Sequence, residues 1–165
     1  MISTASLDDS PAIAKIYNHY IQHSVATFEE FLITPSGIQE RMKKVQAANL
    51  PWLVAMEDSK IVGYTYASQL KERSAYRFAV EVTVYIDTQA RGKGLGTALY
   101  LALFEQLKSQ GIRSAIGCIT LPNEPSVVLH EKLGMQKVGH FSEVGFKFGK
   151  WLDVGFWQIH FAKIN

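Results

Sequence analysis

Apolar residues recur along this chain with two different periods, and each change of period marks a new element. Ile13, Ile16, Tyr17, Tyr20 and Ile21 fall at i, i+3, i+4, i+7 and i+8, one face of an amphipathic helix that Ser10-Pro11 is suited to start. A second start, Thr34-Pro35, precedes Ile38, Met42 and Val45, so a second helix is expected close behind the first. PWLVAM, then Glu57 to Lys60, then IVGYTYAS read as two strands joined by a tight polar turn. From Phe78 the period drops to two. Phe78, Val80, Val82, Val84 and Ile86 share one face and Ala79, Glu81, Thr83 and Tyr85 the other, as in a central strand covered on both sides. Leu95, Leu99, Ala102, Leu103 and Leu107 restore the helical period, and Gly111 can end that helix in a left-handed conformation. SAIGCIT predicts the next strand, LPNEP a loop, Ser126 to Lys132 a short helix stopped at Gly134, and the alternating tail FKFGKWLDVGFWQIHF the closing strands. Trp151, Phe156 and Trp157 in that tail read as core residues. Taken in order, the elements predict an α/β (α+β) fold, a mixed sheet with helices on both faces.

A length of 165 residues suits one compact domain over 1–165, and the chain shows no repeat, linker or low-complexity segment. Hydrophobic residues at 47% and charged ones at 19% exclude a disordered chain. A net charge of +2 argues against nucleic acid as a partner. Cys118 is the only cysteine, which excludes an intramolecular disulfide and a zinc site built on several thiolates; no metal is expected. The first residues, MISTASLDDS, lack the basic and apolar regions of a signal peptide, and no run has the length to span a bilayer, so the expectation is a cytoplasmic protein with no membrane partner.

Candidate chemistry begins where the central strand hands over to the next helix. ARGKGLGTAL, Ala90 to Leu99, places three glycines and two cations at Arg91 to Gly96. Such a junction leaves backbone N–H groups unpaired at the positive end of a helix dipole, where anions bind, and phosphates above all. Glycines admit a phosphate close to the chain, and Arg91 and Lys93 add charge. A P-loop requires a glycine five residues after Gly92, where Thr97 stands. The dinucleotide fingerprint fails as well, at Thr97 after Gly92 and Gly94 and at Leu99 after Gly94 and Gly96. What remains, R-G-K-G-L-G, is similar to the [QR]-x-x-G-x-[GA] pattern of the GCN5-related N-acetyltransferases, in which this loop holds the pyrophosphate of acetyl-CoA.

The resemblance extends beyond the loop. IYNHYI, TFEEF, PWLVA, VGYTYA, AYRFAVEVTVYI, LPNEPSVVLHEKLG and VGFKFGKWLDVGFWQ resemble, in this order and from about Ile16 to Gln158, the phosphinothricin and methionine-sulfoximine N-acetyltransferases, a subfamily of that superfamily. The resemblance implies a GNAT fold and transfer of acetyl from acetyl-CoA to the amino group of a small amino-acid-like compound such as phosphinothricin, methionine sulfoximine or methionine sulfone. Its donor site would comprise Arg91, Gly92, Lys93, Gly94, Leu95, Gly96 and Thr97 for the pyrophosphate, with the backbone of Val84, Tyr85 and Ile86 and the side chain of Asn123 for the pantetheine arm. For Asn123, ordinary turn chemistry is the alternative.

Attack on a thioester requires a neutral amine, so the site has to accept a proton. Glu81 lies between Val80 and Val82, a costly place for a carboxylate unless it is ion-paired, with Arg73 or Arg77, or its pKa is raised by desolvation. The resemblance adds that the family's general base matches Glu81. It also implies a supporting role for His130, polarising the tetrahedral intermediate or donating a proton. Lys71, Arg73 and Tyr76 in LKERSAYRF match the acceptor site; arginine provides a fork suited to a carboxylate or phosphinate, and a solvated basic loop is the alternative. Phe28 and Val154 would be further acceptor contacts. Two departures from the family pattern bear on the acceptor: Thr120 stands where a glycine is usual, and Met135 where an aromatic commonly follows LG. The resemblance also implies a homodimer. Other amines (a polyamine, an aminoglycoside, a protein N-terminus) or a non-catalytic acetyl-CoA sensor are the competing readings.

Overall fold

The computed structural model describes residues 1–161, so the last four positions of the expected 1–165 domain lie outside the described residues. The elements are β1 (Ile2–Thr4), α1 (Ser10–His23), α2 (Pro35–Ala47), β2 (Trp52–Glu57), β3 (Lys60–Gln69), β4 (Ala79–Ile86), α3 (Leu95–Ser109), β5 (Ser114–Leu121), α4 (Glu124–Lys132), β6 (Gln136–Lys147) and β7 (Lys150–His160). They build one seven-stranded sheet in the order β1-β2-β3-β4-β5-β7-β6. All neighbouring strands run antiparallel except β4 and β5.

Local chemistry sets these boundaries. Thr34 caps α2 by accepting a hydrogen bond from the Gly37 N–H at 3.1 Å, and Pro35 occupies its first turn. Asp58 and Ser59 turn the β2–β3 hairpin with φ of 46° and 60°, the left-handed pair that a two-residue connection requires. Gly111 and Gly134, both at positive φ, follow the ends of α3 and α4 as expected.

Apolar faces pack on both sides of the sheet. On one side Leu99, Leu103, Phe104 and Leu107 of α3 meet Val80, Val82, Ala115, Ile119 and Trp157. On the other, Ile13, Ile16, Ile21, Ile38 and Met42 of the first two helices meet Trp52, Val54 and Tyr64, with Tyr85 packed against them. Strand β4 therefore contributes to both cores, as its alternation requires. Leu103 is wholly buried. Leu103→Ala is expected to cost about 2–5 kcal/mol, read as a lower urea midpoint at unchanged m-value. A loss under about 1 kcal/mol would show that α3 does not form this seam.

Five features differ from the sequence reading. Strand β1 is only three residues long and pairs with β2, too short to display a period. Phe78 precedes β4 and is 45% exposed beneath the Arg77 guanidinium. Helix α4 begins at Glu124 because Asn123 caps it and a proline fits its first turn. Strand β6 begins at Gln136, is interrupted by two register shifts and is mostly exposed, so its alternation is broken. Trp151, expected in the core, is 63% exposed and packs its ring on Phe146 across the β6–β7 hairpin; Trp157 is buried and donates to Glu131.

Candidate active site

The two parallel strands part company in the middle of the sheet. β4 and β5 pair only from Ala79/Ser114 to Val82/Gly117. Beyond that point β4 keeps its ladder to β3 as far as Ile86, while β5 keeps its ladder to β7 as far as Leu121. Each strand follows its own neighbour and the two diverge, so among the described residues positions 83–86 of β4 have no strand partner on the β5 side. A cavity of about 880 Å³ fills the fork and runs on to the glycine loop. An unpaired strand edge of this kind accepts an extended, amide-containing chain.

At the far end of β4, a 3-10 turn at Thr88–Ala90 leads into the loop. Gly92 and Gly94 adopt φ of +79° and +76°, and among the described residues nothing lies within 4 Å of a Cβ built on either. Gly94 is the N-cap of α3 and supplies no side-chain cap, whereas α2 and α4 are capped by Thr34 and Asn123. The first N–H groups of α3, on Leu95, Gly96 and Thr97, thus lack helical partners and belong to the cavity wall. Arg91 joins them, its guanidinium over the Tyr20 ring at 5.3 Å, and the Tyr20 hydroxyl donates to the Ile86 carbonyl at 2.6 Å. Lys93 does not join them: its ammonium sits 2.7 Å from Glu57, outside the wall. Free helical donors, two left-handed glycines with open space above them and one arginine fit a diphosphate.

Glu81 lines the cavity at the apex of the fork, half-buried, with neither an ion pair nor a side-chain hydrogen bond among the described residues. The pairing with Arg73 or Arg77 is not formed; Arg77 donates instead to the Ser74 carbonyl at 3.1 Å. Burial raises the Glu81 pKa, and the positive charge of Lys71 opposes that rise.

His130 is buried on α4 against Gly117, where any Cβ would overlap the imidazole. Its Nδ1 lies 2.7 Å from the Ser126 carbonyl, which can only accept, so Nδ1 carries the proton, and Nε2 lies 3.2 Å from the Tyr100 hydroxyl. Burial lowers the His130 pKa, outweighing the carbonyl, and the ring is neutral near pH 7. In this arrangement the one ring N–H is held by the Ser126 carbonyl. Tyr100, at the same apex and also within 3.4 Å of the Val82 carbonyl, escaped the sequence reading because its place on α3 beside Leu99 and Leu103 looks like core.

The remaining expected residues divide by location. Asn123 lines the cavity, but its Oδ1 accepts from the Ser126 N–H at 3.3 Å as the cap of α4, leaving its amide hydrogens for a ligand. Thr120 and Val154 face each other across β5 and β7, and with Phe28 and the backbone of Val84, Tyr85 and Ile86 they line the same cavity. Lys71, Arg73 and Tyr76 lie on the exposed segment between β3 and β4, outside that lining; only the charge of Lys71 is felt at Glu81. Met135 is buried in the α3-side core and does not reach the pocket. Cys118, not foreseen at the site, opens onto the cavity; burial and the Glu81 carboxylate push its thiol up to about 11, so it stays protonated at neutral pH. No group of side chains suited to hold a metal occurs among the described residues.

Comparison with known proteins agrees with this geometry. Residues 2–155 match the family described as Acetyltransferase (GNAT) domain. The chain is 40% identical over 160 residues to the phosphinothricin N-acetyltransferase of Streptomyces viridochromogenes, covering 97% of this chain and 87% of that one. It is 32% identical to the L-methionine sulfoximine/L-methionine sulfone acetyltransferase of Pseudomonas aeruginosa, over 96% and 93% of the two chains. Among solved structures, a GNAT superfamily phosphinothricin acetyltransferase from Sinorhizobium meliloti in complex with AcCoA superposes with a TM-score of 0.95 at 34% identity, covering 98% of this chain and 88% of that one. This chain belongs to the GNAT acetyltransferases. It is an acetyl-CoA-dependent N-acetyltransferase, with the mostly antiparallel mixed sheet of that fold.

Proposed function

We propose that the enzyme acetylates the amino group of small amino-acid-like acceptors, phosphinothricin, methionine sulfoximine and methionine sulfone among them, by direct transfer with Glu81 as the base. The observation that carries this reading is the unpaired, half-buried Glu81 where β4 and β5 separate. A raised pKa suits it to take a proton from an ammonium group near neutral pH, through a water if the distance requires. Glu81 takes one proton from the ammonium, the neutral nitrogen forms the new C–N bond to the acetyl carbon, the C–S bond breaks with its electron pair on sulfur, and the second proton of the attacking nitrogen passes to that sulfur, so that coenzyme A leaves as the thiol. An acyl-enzyme route through Cys118 is disfavoured, because a thiol held up to about 11 supplies little thiolate.

Donor contacts in this reading come from Arg91, Gly92, Gly94, Leu95, Gly96, Thr97 and Asn123 and from the free edge of β4; Lys93 contributes through its backbone. His130 and Tyr100 hold the apex of the fork together. Phe28, Thr120 and Val154 form the acceptor wall. Lys71, Arg73 and Tyr76, outside the cavity lining on the exposed segment just before β4, are assigned to the acceptor's acidic groups on the family resemblance and on the charge that Lys71 exerts at Glu81. Arg73→Ala is expected to raise KM for phosphinothricin about tenfold or more, with KM for acetyl-CoA within about twofold. Equal effects on both would remove Arg73 from the acceptor site.

The basic residues before β4 disfavour a polyamine or aminoglycoside acceptor, which would require an acidic pocket. A thiol-release assay with amino acids, polyamines, aminoglycosides and N-terminal peptides tests the proposal. Turnover led by phosphinothricin or methionine sulfone supports it. Turnover led by a cationic amine contradicts it, and tight acetyl-CoA binding without turnover would point to a sensor. A homodimer belongs to the same reading, supported by the exposed rings of Phe141, Phe146, Phe148 and Trp151 on the β6–β7 hairpin, and light scattering checks it. A cytoplasmic location is proposed with it; among the described residues no helix is long and apolar enough to cross a membrane.

A further inference from the structure

Residues 24–28 form the inner wall of the cavity on a segment with no helix or strand of its own, and Phe28 lies at its end. The Tyr17 hydroxyl, 2.8 Å from Thr27 Oγ1, and the Tyr85 hydroxyl, which donates to the Ala26 carbonyl at 3.4 Å, brace this wall from α1 and β4, and two further supports come from the opposite end of the chain. Lys147, near the end of β6, is 2% exposed, and its ammonium donates to the Ser24 carbonyl and to the Thr27 carbonyl, each at 2.8 Å. No carboxylate pairs with it among the described residues. Ser24 is also the C-cap of α1, so the positive charge sits at the negative end of that helix. Gly145 lies two residues earlier, on the same face of β6, and the Phe28 ring rests so closely on it that a Cβ there would overlap the ring. Lys147 and Gly145 thus form one template: the first gathers two carbonyls of the wall, the second seats its aromatic side chain.

We infer that Lys147 is a positioning residue for the acceptor pocket, holding the Ser24–Phe28 wall in its binding shape from behind while touching neither substrate. A buried ammonium is costly unless hydrogen-bonded, and here the carbonyls that satisfy it belong to the wall itself. Removing the ammonium frees the carbonyls of residues 24 and 27 together, whereas the glycine loop keeps every contact described above and β4 keeps its ladder to β3. The loss is therefore expected in acceptor binding and not in acetyl-CoA binding. This inference depends on the amino-acid acetyltransferase reading only for the choice of acceptor.

Lys147→Met keeps the length of the side chain and removes its donors. Hydrogen exchange on the unliganded protein is expected to quicken at the amides of 24–28 by about tenfold or more and to stay unchanged at α3 and β4. With phosphinothricin as acceptor, KM is expected to rise about tenfold while KM for acetyl-CoA and kcat stay within about twofold. Gly145→Ala, which displaces Phe28 without touching the ammonium, is expected to raise the acceptor KM in the same selective way and serves if Lys147→Met does not fold. Unchanged exchange at 24–28 overturns the inference, as does a KM rise shared equally by both substrates or an acceptor KM unmoved by both variants. Should the wild-type enzyme ignore phosphinothricin, the acceptor reading fails, and the exchange pattern still decides whether Lys147 holds the wall.

Discussion

Glu81→Gln is expected to lower kcat by about two orders of magnitude or more, the scale on which a positioned base contributes, while KM for acetyl-CoA changes little. Stability should move the other way. Burial raises the Glu81 pKa in the fold above its unfolded value, so the stability linked to this group is fully present below the unfolded carboxylate range and is lost as pH rises through the folded pKa. At pH 7 the charged form burdens the fold, and glutamine removes the burden. The variant is therefore expected to be at least as stable as wild type and nearly inactive, a combination that a general folding defect cannot produce. In wild type, kcat/KM should fall as pH drops through the raised pKa, and that limb should vanish in the variant. Turnover near wild type would remove Glu81 as the base.

Gly94→Val tests the other end of the cavity. Gly94 has φ of +76°, and a β-branched residue there carries strain of about 1–3 kcal/mol. No atom of the described residues lies within 4 Å of the added Cβ, so the first new carbon meets no clash there. What the side chain enters is the space beside the uncapped first turn of α3. KM for acetyl-CoA is expected to rise about tenfold or more, equivalent to about 1.4 kcal/mol, with acceptor KM unchanged at saturating donor. A folded variant with an unaltered acetyl-CoA KM would take the loop out of the donor site.

Much of this arrangement is legible in the sequence, because the signals are local. The period of 3.6 in α1, α2 and α3 and the period of two in β4 follow from which faces are buried. Glu81 stands out as a lone carboxylate in an apolar strand, and the glycine loop as a strand-to-helix junction that avoids side chains. The fork is different in kind. Its divergence after Val82 and Gly117 arises because β3 and β7 guide the two strands apart, and pairing between distant segments leaves no period behind. Residue type alone places Lys93 with the phosphate loop, but Glu57, from the β2–β3 hairpin, takes its charge. Tyr100 reads as apolar filler until its hydroxyl is seen beside His130. Strand β6 is not foreseen before Phe146, because an exposed, bulged edge has no buried face to impose alternation.

The most direct test of the account is a crystal structure of this protein with acetyl-CoA. The diphosphate is expected on the amides between Gly92 and Thr97, the pantetheine arm along the unpaired edge of residues 83–86, and the thioester at the fork beside Glu81. Coenzyme bound outside the fork, with the glycine loop empty at saturating ligand, would contradict it.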